Sequence, residues 1–162
     1  MNNAVENVLD RYWDHLLPVD PFKIAAEWGA RVEPLEENAA FNNQGVSGIA
    51  VIKNGVHRIY YNQHEHGNRQ RFTVAHELAH HVLGHTKDGE YHRDNVQNYM
   101  TTAPLIQERQ ANQFAAALLM PEKAIMHYVT REGVDSTFEL AKIFNVSEAA
   151  MRWRLKEIGF FD

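Results

Sequence analysis

Val5, Val8, Leu9, Tyr12, Trp13, Leu16 and Leu17 recur at helical spacing, so the chain opens on a predicted amphipathic helix that Pro18 closes. Asp20 followed by Pro21 has the form of an N-cap and first-turn pair, and the helix it starts runs to Trp28 with Gly29 as its stop. "ARVEPL" is a short strand and "FNNQG" a loop. "VSGIAVI" and "HRIYYN" then alternate as the arms of a hairpin whose turn is Asn54-Gly55. A helix is predicted from Asn68 to Leu83, ended by Gly84. The polar stretch from Thr86 to Thr102 has no period and is predicted as a long loop of the kind that covers a site. Pro104 opens a further helix that stops at Pro121; a short one follows in "PEKAIMHYVTREG", and the tail forms two more around Asn145-Val146. Helices, then strands, then helices predict an α+β fold without internal repeats.

Composition narrows the chemistry. The 162 residues contain no cysteine, so disulfides and thiolate metal sites are excluded and any metal must be held by His, Asp or Glu. That usage fits a reducing cytoplasm. A net charge of −5 argues against a broadly basic nucleic-acid surface. The first residues lack the basic start and apolar run of a signal peptide, and nowhere do 18 apolar residues occur in a row.

Four of the ten histidines fall in "TVAHELAHHVLGH". Residues four apart share a helix face, so His76 pairs with His80 and His81 with His85. The pairs point about 140° apart, at roughly 100° per residue, and cannot serve one ion. Only the first pair carries a glutamate, Glu77, directly after its leading histidine. His-Glu-x-x-His supplies two imidazole ligands and a carboxylate placed to take a proton from water that the ion activates. At this content of His and Glu, random order gives about 0.05 such motifs, which makes the match informative.

Two histidines leave a catalytic site too open, so a third ligand is required. A third histidine on the same segment would need Gly at position 83 and His at 86, where the chain has Leu83 and Thr86. The alternative is a carboxylate from a second helix, and "PLIQERQANQFAAALLMP" offers Glu108, with Ala111 and Ala115 small enough for close helix approach. Asn112, one turn later, is expected to hydrogen-bond a ligand histidine. His81 reads as a packed imidazole, and His85 as a group past the helix end that satisfies free carbonyls. Arg71, His92 and Tyr99 are candidates to stabilise an oxyanion. The strand "GVSGIAVI" is a candidate edge for receiving an extended peptide.

"RQRFTVAHELAHHVLGH" followed by "ERQANQFAAALLMP" resembles the ImmA/IrrE family of zinc peptidases, and the resemblance extends over roughly residues 18–125. It implies a zincin-like, gluzincin-type domain, placed at residues 1–130 with the hairpin in a small antiparallel sheet; separately, "FELAKIFNVSEAAMRWRLKEIG" resembles a helix-turn-helix pair, placed at 131–162. The family resemblance further implies zinc (manganese being the alternative ion) on His76, His80 and Glu108, with Glu77 as the base. The implied role is bacterial and cytoplasmic: cleavage of a regulatory protein such as an Xre-type helix-turn-helix repressor or an antitoxin.

In the tail, Ser136 with Glu139 makes a capping box, Ser147 caps the second helix and Gly159 stops it. Arg152, Arg154 and Lys156 on that helix are the only cations placed to meet phosphates, so DNA binding is the weaker reading. The alternative to an enzyme is a metal-stabilised regulator that works through this pair; Glu77, which a structural metal site does not need, separates the two.

Overall fold

A computed structural model of the chain describes residues 2–35, 45–89, 91–95 and 104–160. Helices α1 (Asn2–Tyr12) and α2 (Pro21–Trp28) lead into strand β1 (Arg31–Pro34). The hairpin β2 (Val46–Lys53) and β3 (Val56–Tyr61) is followed by α3 (Gly67–Val82), β4 (Tyr91–Asn95) and α4 (Leu105–Leu119). The short α5 (Glu122–Met126) continues into a wider turn at His127–Arg131, and α6 (Thr137–Phe144) and α7 (Glu148–Glu157) complete the chain.

The ends of these elements follow local chemistry. Asp20 accepts from the backbone N–H groups of Phe22 and Lys23, and Gly29 closes α2 at a φ of 119°. Ser136 and Ser147 accept from the N–H groups of Glu139 and Ala150. Asn54 and Gly55, at φ of 53° and 76°, form the left-handed turn that joins β2 to β3 without splaying them. Helix α1 stops five residues earlier than its apolar spacing predicts. Trp13 Nε1 turns back to the carbonyl of Leu16, and His15 takes a φ of 64°, so Leu16 ends up exposed.

The sheet is mixed, with order β1-β3-β2-β4. The hairpin and the β2–β4 pair are antiparallel, but β1 runs parallel to β3, which corrects the purely antiparallel expectation. A parallel neighbour needs a crossover between the strands, and the 11 residues between β1 and β2, followed by β2 itself, provide one. Strand β2 is therefore interior, paired on both sides, and the edges among the described residues are β1 and β4. This overturns the expectation that "GVSGIAVI" is an open edge. Strand β4 also replaces part of the predicted loop. Its sequence, "YHRDN", has no apolar period, and main-chain pairing with β2 holds it. The loop predicted at "FNNQG" lies outside the described residues except for Gly45.

Two cores meet along α4. Val74, Ala75, Leu78 and Ala79 of α3 pack with Ile24, Ile59, Ala111, Phe114, Ala115 and Leu118. The second core joins Ala116, Met120 and Ile125 to Leu140, Phe144, Met151 and Leu155 of the last two helices. The C-terminal pair is thus fastened to the body, and two buried or half-buried guanidiniums reinforce the seam. Arg71 of α3 donates to the carbonyls of Val19 (2.7 Å) and Phe144 (3.2 Å). Arg154 of α7 donates to the carbonyl of Met120 (3.0 Å) and to Glu157 (2.9 Å). Burial pulls both below the usual arginine range.

Candidate metal centre

Helix α3 turns Val74, Ala75, Leu78 and Ala79 into the apolar core, Glu77 and His81 toward the sheet, and His76 and His80 toward Glu108 of α4. The two are buried and present their Nε2 atoms 3.2 Å apart. From α4, Glu108 brings Oε1 to 2.9 Å from His80 Nε2 and Oε2 to 3.1 Å from His76 Nε2. The small side chains of Ala111 and Ala115, fully buried, allow the two helices to come this close.

These separations test whether the three groups suit a metal. Tetrahedral zinc with bonds of about 2.0–2.1 Å sets neighbouring ligand atoms about 3.3 Å apart. The three donors converge at that spacing, with no further acidic or imidazole group needed to complete the cluster. Two neutral imidazoles and a carboxylate are also a donor set that zinc accepts and that leaves one position open for chemistry. The residues fit the ion.

Glu77 is fully buried on the next face of α3, under β2. The strand comes so near that a Cβ at Gly48 would lie 3.1 Å from both Cγ and Oε1 of Glu77, and closer still to the Thr73 methyl. Glycine is required here by proximity alone. Beside it the β2–β4 register slips between Val46 and Gly48, a bulge that admits Ser47. Ser47 in turn donates to Glu65 at 3.1 Å.

Of the other histidines, His81 packs as expected, while the His85 ring takes a role that its spacing did not indicate. Gly84, at a φ of 72°, turns the chain after α3 so that the His85 N–H reaches the His80 carbonyl at 2.9 Å. The same turn brings His85 Nδ1 to 3.0 Å from His80 Nδ1, while His85 Nε2 lies 2.9 Å from Gln110 Oε1. His85 therefore supports a ligand rather than a helix end. His81 is buried on another face, with Nε2 at 2.8 Å from the Arg58 carbonyl and Nδ1 at 2.8 Å from His57 Nδ1. Periodicity could not have found His85, because the left-handed residue at Gly84 breaks the helical geometry on which the pairing argument depended.

Asn112 does not take the expected position against a ligand histidine. It is exposed, and it lines an open groove with Phe72. Nor is Arg71 aimed at the site, since its donors serve the carbonyls of Val19 and Phe144. His92 pairs through its backbone with Ala50 on β4, and Tyr99 lies outside the described residues.

A donor set of two helix histidines and a glutamate from a second helix, carried on an α+β scaffold, is the arrangement of a metallopeptidase domain. The chain belongs to the family Peptidase_M78, described as the IrrE N-terminal-like domain, whose model matches residues 39–156. The match covers α3, α4, α6 and α7 as far as Lys156. No curated protein matches the chain.

Proposed function

We propose that this chain is a zinc-dependent endopeptidase of the bacterial cytoplasm that cleaves a regulatory protein, such as an Xre-type helix-turn-helix repressor or an antitoxin. One observation carries the reading: beside a three-donor site lies a fully buried carboxylate, Glu77, one residue after a ligand and packed under Gly48 of β2. A metal that only stabilised the fold would have no use for that group.

When bound, the ion supplies Lewis acidity to the scissile carbonyl and to the attacking water. The chain's own residues do the rest. His76 and His80 would hold the ion through Nε2 and Glu108 through its carboxylate, from two helices packed in one core. Glu77 accepts the proton of the attacking water on its carboxylate and returns it to the departing amine, so that no net proton is gained or lost by the protein. The edge strand β4, antiparallel to β2, offers backbone groups to which an extended substrate can add.

The regulator reading draws on the cations of α7, and two of the three are engaged. Arg154 is buried against Met120, and Arg152 pairs with Glu148 at 3.1 Å.

The test is Glu77→Gln, which keeps shape but cannot take a proton. Both forms, loaded with zinc, are incubated with the repressor or antitoxin encoded beside this chain, and products are read by mass spectrometry. Wild type should yield a discrete cut, and the variant should bind zinc equally while cutting about 10²–10⁴-fold more slowly. Equal cutting removes Glu77 as the base. If neither form cuts yet both relieve repression, the protein is a regulator.

A further inference from the structure

A groove of about 660 Å³ runs away from the metal centre between α3, α4 and α7. It begins at Phe72, one turn before His76, and at Asn112, one turn after Glu108. The Phe72 ring lies 6.0 Å from that of His76, so one wall of the groove stands against a donor residue. Its floor and walls are apolar: Phe72, Leu119, Met120, Val146, Ala150 and Trp153. Trp153 stands 48% exposed, although the same helix has buried Met151 and Leu155 in the core. A large aromatic ring held at the lip of an apolar groove is the kind of surface that anchors a partner side chain.

Charge says more about the occupant. The chain carries 21 acidic residues against 16 Lys and Arg, yet none of the described residues lining the groove is acidic. Arg69 and His66 stand on its rim. Helices α3 and α7 both begin there, at the caps His66 and Ser147, and direct the positive ends of their dipoles toward the opening. The walls are also fixed in place. Arg71 ties α3 to the Phe144 carbonyl just before the turn into α7, and Arg154 ties α7 to α4 at Met120.

We propose that this groove is a substrate subsite that takes a large apolar side chain flanked by a carboxylate, within about three residues of the cleaved bond. The distance follows from the geometry: one helical turn is about 5.4 Å and an extended peptide advances about 3.3 Å per residue. The proposal rests on the endopeptidase reading and gives it a sequence preference. It also gives the C-terminal pair a task, since α7 supplies the outer wall.

The experiment uses the zinc-loaded full chain and two pools of blocked dodecapeptides. One pool carries Leu-Glu or Phe-Glu at its centre, the other Ala-Glu in the same place. The first pool should be cut about tenfold faster, a discrimination that an apolar pocket can supply, at bonds within three residues of the anchor. Trp153→Ala should collapse the ratio between pools towards one with metal content unchanged, and Arg69→Glu should slow the cutting of the Leu-Glu and Phe-Glu pool relative to the same peptides with Gln in place of Glu. Equal cutting of both pools, or a ratio that Trp153→Ala leaves intact, overturns the subsite while the endopeptidase reading stands. If neither pool is cut, calorimetry on zinc-loaded Glu77→Gln decides: tighter binding of the Leu and Phe pool, lost on adding Trp153→Ala, keeps the groove and counts against the enzyme. Equal or absent binding of the two pools rejects the groove. A wild-type dimer that Trp153→Ala dissociates would assign the groove to a second copy of the chain and also overturn the proposal.

Discussion

The Nδ1 atoms of His80 and His85 lie 3.0 Å apart, and this contact decides where the protons of both rings sit. His80 turns Nε2 towards Glu108 and His76, so its proton belongs on Nδ1. That N–H donates to His85 Nδ1, and His85 then carries its own proton on Nε2, from which it donates to Gln110 Oε1. A candidate ligand imidazole is thus oriented by His85, which in turn is held by Gln110 of α4, the helix that also supplies Glu108. His85→Ala should lower zinc affinity about 10–100-fold, as loss of such a support typically does. Competition against a chelator measures it, and an unchanged dissociation constant would leave His85 without this role.

Glu108 joins the site from another helix and is the donor most easily removed without disturbing α3. Its side chain is 16% exposed, so Glu108→Ala opens no large cavity. We expect wild type to retain one zinc per chain through dialysis and Glu108→Ala to lose most of it, by elemental analysis. Full occupancy in the variant would strike Glu108 from the donor set.

Gly48 is a packing requirement with a specific obstacle. A methyl group there meets the Thr73 Cγ2 first and the Glu77 side chain at 3.1 Å. Gly48→Ala should destabilise the fold by about 1–3 kcal/mol in denaturant titration, the usual range for forcing a methyl into a filled site. Adding Thr73→Ser removes the methyl in the way and should restore part of the loss. An additive double variant would mean that the strain lies elsewhere.

Direct duplex binding is not expected from the C-terminal pair. Lys156 is the single cation of its three without an ion pair or buried acceptor among the described residues. Phosphate neutralisation needs several, and its mark is a steep loss of affinity with salt. A sub-micromolar, salt-sensitive complex with a defined operator in a mobility-shift assay would reverse this expectation.

What the sequence made legible was local. The Asn54-Gly55 turn and the caps at Asp20, Ser136 and Ser147 act through neighbours a few residues away and appear in the structure as read, and His76 and His80 share one helix face. Glu108 was also within reach, because helix spacing plus flanking alanines implied a close second helix. What escaped depends on partners distant in the chain. Strand β4 exists through hydrogen bonds to β2 and not through its own side-chain pattern. The parallel pairing of β1 with β3 has no signature in four residues. Arg154 read as a cation placed to meet phosphates because nothing near it in sequence announces the Met120 carbonyl, 34 residues away.

Arg71 has a consequence for how the molecule comes apart. One guanidinium on the metal-bearing helix joins segments 52 residues before it and 73 residues after it in the chain. A chain ended at residue 130 would lose the Phe144 acceptor and, with it, the layer that covers Ala116, Met120 and Ile125. The peptidase body and the helix pair are therefore expected to melt as one cooperative unit, with a single transition in calorimetry.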